Sequence, residues 1–304
     1  MAKNIPISVR NRLLKLIRET GQDAMLVWTR YAIERFLYRL SVSPHAGVFM
    51  LKGAMLFLAR TGKIHRPTRD LDLLGFGDGS EAHVADVIRS VCEIECQADG
   101  IRFDTATILV TRIREDQEYE GCRVTLTAHL DTVKIENLQI DIGFGDAVTP
   151  APVIVEYPPL LDFPGPRISG YPWETVIAEK VQAMVALGLA TSRLKDFDDI
   201  RTLSRLFAFD GATLSAAIRA TFERRKTELP TTAPVALTEE FAKDVDKLKQ
   251  WTAYMRRNNV TEDGDSKLEK VIADLSEFVL PPLFAASGKF PMNWDVGGPW
   301  KPMM

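Results

Sequence analysis

The sequence predicts an α+β half followed by a helical half. Helical periodicity fills residues 8–41 and 81–97, and three stretches between 101 and 157 switch to alternating or β-branched patterns. From Trp173 onward the apolar spacing is helical almost throughout.

In order, Val9, Leu13, Leu14 and Ile17, then Leu26, Tyr31, Ile33, Phe36, Leu37 and Leu40, recur at helical spacing over 8–41. Gly47–Arg60 reads as a very apolar helix with Gly62 as its C-cap. A short strand, Asp70–Phe76, ends at Gly77-Asp78-Gly79-Ser80, a turn that also caps an amphipathic helix over Glu81–Gln97. Thr107–Ile113, Cys122–Leu130 and Leu138–Phe144 read as successive, mostly antiparallel strands. Pro150–Pro166 is an extended, proline-rich border. Helices are expected over 173–190, 195–208, 211–227, 236–257 and 266–279, and an irregular strap over Pro281–Met304. The boundary between halves falls at 170/171.

Composition bounds the class. With 304 residues, one large or two modest domains are expected. Hydrophobic residues at 46% and charged residues at 26% exclude a disordered chain, a fibre or a coiled-coil rod. Lys and Arg number 38 against 41 Asp and Glu, so the net charge is -3 and any nucleic-acid role must rest on local patches. No apolar run reaches the ~18–20 residues that span a bilayer, and the opening MAKNIPISVRNRLLKLIRE has no apolar signal core. The expected location is the cytoplasm, without membrane contact. Cys92, Cys96 and Cys122 are too few for a disulfide framework and read as structural thiols. His45, His65, His83 and His129 show no ligand spacing. Signatures of a serine hydrolase, a Walker-type ATPase and a dinucleotide-binding dehydrogenase are missing.

The sharpest local feature is Arg69-Asp70-Leu71-Asp72-Leu73-Leu74-Gly75. On a strand, Asp70 and Asp72 share one face, and two carboxylates so placed repel unless a cation lies between them. Hard oxygen ligands suit Mg²⁺ carried with a nucleotide's phosphates; the alternative is a solvated acidic face. In Leu138-Gln139-Ile140-Asp141-Ile142-Gly143-Phe144, Asp141 stands opposite an apolar face and needs a partner. Beside the Asp70/Asp72 strand it completes a three-carboxylate constellation for phosphoryl or nucleotidyl transfer; otherwise it pairs with an Arg. Gly53, in Leu51-Lys52-Gly53-Ala54-Met55, reads as a mid-helix glycine placed for packing or for close approach to phosphate. Lys180 flanks an apolar helix stripe, as a phosphate contact or a snorkelling lysine. In Arg193-Leu194-Lys195-Asp196-Phe197-Asp198-Asp199, Asp196 and Asp199 share a helix face, and Asp196 is also a candidate cap.

Taken in order, LKGAMLFL, RPTRDLDLLGFG, LQIDIGFGD, YPWETVIAEKVQAMVALG and TSRLKDFDDI resemble the AbiEii/AbiGii-type nucleotidyltransferase toxins of bacterial abortive-infection (phage-defence) and type IV toxin–antitoxin systems. The resemblance spans roughly residues 45–206, with no family signature in the last hundred residues. It implies a minimal nucleotidyltransferase fold similar to DNA polymerase β: a mixed sheet with flanking helices over 1–170, then a helical region over 171–304. It also implies transfer of NMP from an NTP with Mg²⁺, two ions, to an RNA acceptor, the tRNA 3′ end being favoured. An antitoxin encoded by an adjacent gene is the implied partner.

Carried over by residue, Asp70, Asp72 and Asp141 match the metal carboxylates, and Lys180 the lysine thought to contact nucleotide phosphates. Asp196 and Asp199, with Lys195 beside them, match the fourth motif. Lys52, Gly53, Ala54 and Arg69 fall in the implied nucleotide-binding blocks. The first block departs from the family's usual Gly-Gly-Ser/Thr, because Met55 offers no hydroxyl; Arg69 or Thr68 is the expected substitute. That departure leaves open a nucleotide-binding module with little transfer. A protein or small-molecule hydroxyl is the alternative acceptor. Basic residues Arg193, Arg201 and Arg205, then Arg219, Arg224, Arg225 and Lys226, form the expected RNA stripe.

Overall fold

Gly21, in the left-handed region at φ 66°, closes the first helix of the computed structural model, and Asp23 accepts from the Leu26 N–H to open the second. The expected single helix over 8–41 is therefore two, α1 (Ile5–Thr20) and α2 (Ala24–Val42). The structure describes residues 4–63, 65–114, 120–258 and 264–303. The chain divides into two compact units, Met1–Asp146 with Pro152–Tyr171, and Ala147–Ala151 with Pro172–Met304.

In the first unit the expected helix at Gly47–Arg60 is instead a strand followed by a helix, β1 (Phe49–Lys52) and α3 (Gly53–Thr61). Both are apolar because both are buried, so hydrophobicity alone could not separate them. Gly62 caps α3 in the left-handed region, as expected. Then follow β2 (Asp70–Gly75), α4 (Glu81–Cys92), β3 (Ile101–Arg114), β4 (Glu120–Leu130), β5 (Val133–Phe144), β6 (Val153–Glu156) and β7 (Arg167–Gly170). Ser80 caps α4, which stops five residues short of the expected Gln97.

These strands make one mixed sheet, ordered β3-β4-β5-β2-β1-β7-β6. The β2–β5 and β1–β7 pairs are parallel and the others antiparallel. Leu71 and Leu73 lie in register with Ile140 and Ile142, all fully buried on one face. Helix α2 packs against β5 and β7, and α4 against β3 and β4. The opposite parity of β2 and β5 carries Asp70 and Asp72 before the buried Leu74, and Gln139 and Asp141 before Gly143.

Helix α2 also buries charge. Arg35 and Arg39 both bond Asp99, at 2.9 and 2.8 Å. Arg35 reaches the Pro164 carbonyl, and the Leu160 N–H donates to Glu34. These bonds tie the proline-rich border to the sheet's helical layer. Burial raises Glu34 from 4.5 to about 7, against the opposing pull of the Leu160 N–H and Arg35. The folded protein thus binds a proton that the unfolded chain releases. Stability from Glu34 is fully present below about 4.5 and is lost as pH rises through about 7. Glu34→Gln should remove that loss, on the order of 3 kcal/mol. Denaturant titrations at pH 5 and pH 8 should show a smaller fall for the variant; parallel curves would contradict the assignment.

The second unit holds α5 (Trp173–Leu187), α6 (Leu194–Leu206), β8 (Phe209–Asp210), α7 (Gly211–Arg224), α8 (Glu239–Lys243), α9 (Val245–Arg257), α10 (Leu268–Phe284), β9 (Met292–Trp294) and β10 (Trp300–Pro302). The expected helix over 236–257 breaks at Asp244, whose carboxylate caps α9. The tail is not an irregular strap: α10 runs through Pro281 and Pro282, and β9 joins β8 and β10 in a small sheet. Pro282 has no N–H for the Phe278 carbonyl, and Trp300 Nε1 donates to that carbonyl instead, at 3.0 Å. Trp294 Nε1 likewise satisfies the Ser204 carbonyl at 2.7 Å. Among the described residues no helix is long and apolar enough to cross a membrane.

Candidate active site

Strand parity brings the carboxylates together. Asp70 and Asp72 project from β2, and the parallel pairing sets Asp72 beside Asp141 of β5. One oxygen from each of Asp70, Asp72 and Asp141 lies within 4.8 Å of the others. Asp141 is buried, and Asp70 and Asp72 are half-buried. Thr68 Oγ1 donates to Asp70, and Gln139 Nε2 to Asp141 at 3.0 Å. The row continues across the sheet: Lys52 of β1 is in register with Asp72, and Arg123 of β4 with Asp141. Arg123 grips both oxygens of Asp141, at 2.8 Å each. Asp141 thus has the Arg partner that its position in an apolar strand demanded.

Gly53 is the first residue of α3, at φ 67°, and not a mid-helix glycine. A Cβ there would lie 1.8 Å from Asp72 Oδ2. Only glycine permits both the turn and this approach, so the start of α3 sits directly on the carboxylates. No side chain caps α3, which leaves the N–H groups of its first turn as anion donors. Met55 is buried and its Sδ accepts from the Tyr157 hydroxyl at 3.3 Å, so its side chain belongs to the core. Ala54 is half-buried, and Arg69 is exposed, 3.6 Å from Asp23. Lys52 Nζ lies 3.4 Å from Asp146, where Gly143 leaves room for the ammonium. Gly53→Ala should strain the backbone and push Asp72 aside, lowering stability by roughly 1–3 kcal/mol. An unchanged denaturation midpoint would show that the approach is not constrained.

In the second unit, Lys180 of α5 binds Asp196 and Asp199 of α6, and Arg193 binds Asp196 at 2.8 Å. Burial alone would lower the Lys180 pKa, but the two aspartates raise it; burial would raise Asp196, but Lys180 and Arg193 hold it low. Asp196 caps nothing; it is one member of this ionic cluster. Lys195 is exposed.

Of the expected basic stripe, Arg201, Arg205 and Arg225 have side-chain partners within the second unit. Arg201 is buried and binds Asp265 and Asp274, and Arg205 bonds the same two. Arg225 donates to Gln182 at 2.9 Å and is itself largely covered. Arg219, Arg224 and Lys226 are exposed, and Arg193 is half-buried. Alternation marks a helix's or strand's outward positions but not which of them meet an acid from a distant element. Arg123 and Asp146 went unread for the same reason, although Arg123 shares strand parity with the polar Thr125.

A family model described as nucleotidyl transferase AbiEii toxin, type IV toxin–antitoxin system, matches residues 35–273, well over half of the chain. The chain belongs to this family. The AbiEii match includes the three carboxylates, the α3 start and the Lys180 cluster, and it runs beyond residue 206, past the span legible from motifs. No curated protein matches the chain. The mixed sheet, its flanking helices and the helical second unit are consistent with the nucleotidyltransferase fold of AbiEii toxins.

Proposed function

We propose that this AbiEii toxin transfers NMP from an NTP to the 3′ end of RNA, that of tRNA above all, and so blocks translation in the cytoplasm. An antitoxin encoded by an adjacent gene restrains it. The observation that carries the reading is the convergence of Asp70, Asp72 and Asp141 beside the uncapped start of α3.

Three hard oxygen donors within 4.8 Å of one another fit a divalent ion such as Mg²⁺. Asp70, Asp72 and Asp141 would hold it, a pair of ions being the expected complement. When bound, Mg²⁺ supplies charge neutralisation on the phosphates and acidifies the acceptor hydroxyl. The N–H groups of Gly53 and Ala54, with Lys52, orient the triphosphate as fixed donors. Arg69 and Thr68 flank the same strand. Asp141, the most buried of the three acids, is the candidate to take the acceptor's proton once Arg123 releases one of its oxygens. Lys180 and Lys195, beside Asp196 and Asp199, are candidates for contact with a phosphate; for Lys180 to meet one it must relax its grip on one aspartate.

For RNA, the exposed Arg219, Arg224 and Lys226 are the candidates, with Arg193. RNA labelling should fall with salt at a slope of ~0.7–0.9 per phosphate contact. Arg219→Glu, Arg224→Glu and Lys226→Glu combined should weaken RNA modification and leave NTP binding unchanged. The internal pairing of Arg201, Arg205 and Arg225 favours the second reading, a protein or small-molecule acceptor. If the triple variant labels RNA normally, or label in a lysate resists RNase and yields to protease, that reading replaces RNA.

A further inference from the structure

Arg123 is a guanidinium bonded directly to the acid triad, through Asp141. It lies on β4 opposite Asp141, with Nε on Oδ1 and Nη2 on Oδ2, a two-point fork on a planar carboxylate. Gln139 donates to Oδ2 as well. Both oxygens of Asp141 are therefore engaged by donors, and an incoming cation must compete for the same lone pairs. The two partners differ in freedom: the Arg123 side chain is 41% exposed and that of Asp141 11%. The guanidinium has solvent to move into; the carboxylate does not. Asp70 and Asp72 lie close enough to add to the attraction on Arg123, behind the dominant bond to Asp141.

We propose that Arg123 is the triad's own counter-cation: it neutralises Asp141 while no divalent ion is present and yields that carboxylate when one binds. The inference rests on the metal reading above. Three carboxylates this close repel strongly when none is neutralised, and a fixed positive charge removes much of that repulsion. The same charge opposes a divalent ion arriving at the same oxygens. Arg123 therefore raises the ion concentration at which the triad fills, and it favours an ion that brings further ligands, as Mg²⁺ does with a nucleotide's phosphates. Arg123 is a positioning residue: it acts through Asp141.

The test is Mn²⁺ binding to the full chain by calorimetry, without nucleotide or acceptor, for the wild type, Arg123→Ala, Arg123→Lys and Asp72→Asn. Arg123→Ala should bind Mn²⁺ about tenfold more tightly than the wild type. Arg123→Lys should fall between them, because an ammonium keeps the charge and loses the fork. Arg123→Ala should also melt earlier without Mn²⁺ and gain more than the wild type from its addition. A residue that merely braces the strand would weaken Mn²⁺ binding when removed. If Arg123→Ala binds Mn²⁺ equally or more weakly while Asp72→Asn loses it, the counter-cation role is overturned and the metal site stands. If no variant, nor the wild type, binds Mn²⁺, the metal reading and this inference fall together.

Discussion

Asp70→Asn and Asp72→Asn are each expected to fold normally and to lose nucleotide transfer by roughly 10³-fold or more, the scale seen when a charge-stabilising group is removed. Both side chains are half-buried on the polar parity of β2, and neither contributes to the apolar packing of Leu71 and Leu73 on the other face. Removing one negative charge from three that lie within 4.8 Å relieves repulsion, so thermal stability without metal should hold or rise. Steady-state transfer at saturating NTP and acceptor, set beside a melting curve, checks both halves. Wild-type turnover by either variant would remove the carboxylates from the chemistry.

Lys180→Met is expected to destabilise the second unit by about 3–5 kcal/mol, because it removes the ammonium that the buried Asp196 and Asp199 share. The ammonium bonds Asp199 at 2.8 Å and Asp196 besides, and it joins α5 to α6. Removing one of the two buried carboxylate charges should restore part of the loss, so Lys180→Met with Asp199→Asn should be more stable than Lys180→Met. The coupling between the two substitutions, read from denaturant midpoints, measures the pair. Lost activity with unchanged stability would mean that the ammonium serves substrate and not the fold.

What was legible in the sequence follows from what periodicity encodes. Asp70, Asp72 and Asp141 could be read because a period of two assigns each to a face without any knowledge of its neighbours. That Asp72 and Asp141 lie side by side depends on the register of β2 on β5, which no local pattern states. Arg123 is one pairing further out and was invisible for that reason. Gly53 was misread because Phe49–Leu58 is apolar on both sides of it, and a buried strand and a buried helix demand the same residues. The glycine itself marks the break, and only the fold shows that it makes a left-handed turn. Conversely, Gly21 and Asp23 are ordinary stop and start residues, and they mark a helix boundary that the long apolar spacing concealed. The tail's order depends on Trp294 and Trp300 satisfying carbonyls of distant helices, a non-local fact. The pairing of Arg201, Arg205 and Arg225 is of the same kind: their charge was legible, their partners were not.

Transfer of a nucleotide by the triad, rather than of a phosphoryl group or of nothing, can be read from the fate of a labelled phosphate. The protein, Mg²⁺ and total tRNA are offered each NTP in turn, labelled at the α- or the γ-phosphate. α-Label from at least one NTP should appear at the tRNA 3′ end, γ-label should leave as pyrophosphate, and Asp72→Asn should do neither. Label transferred from the γ-position, or tRNA left unlabelled by every NTP while the protein is folded, would contradict nucleotide transfer by the triad.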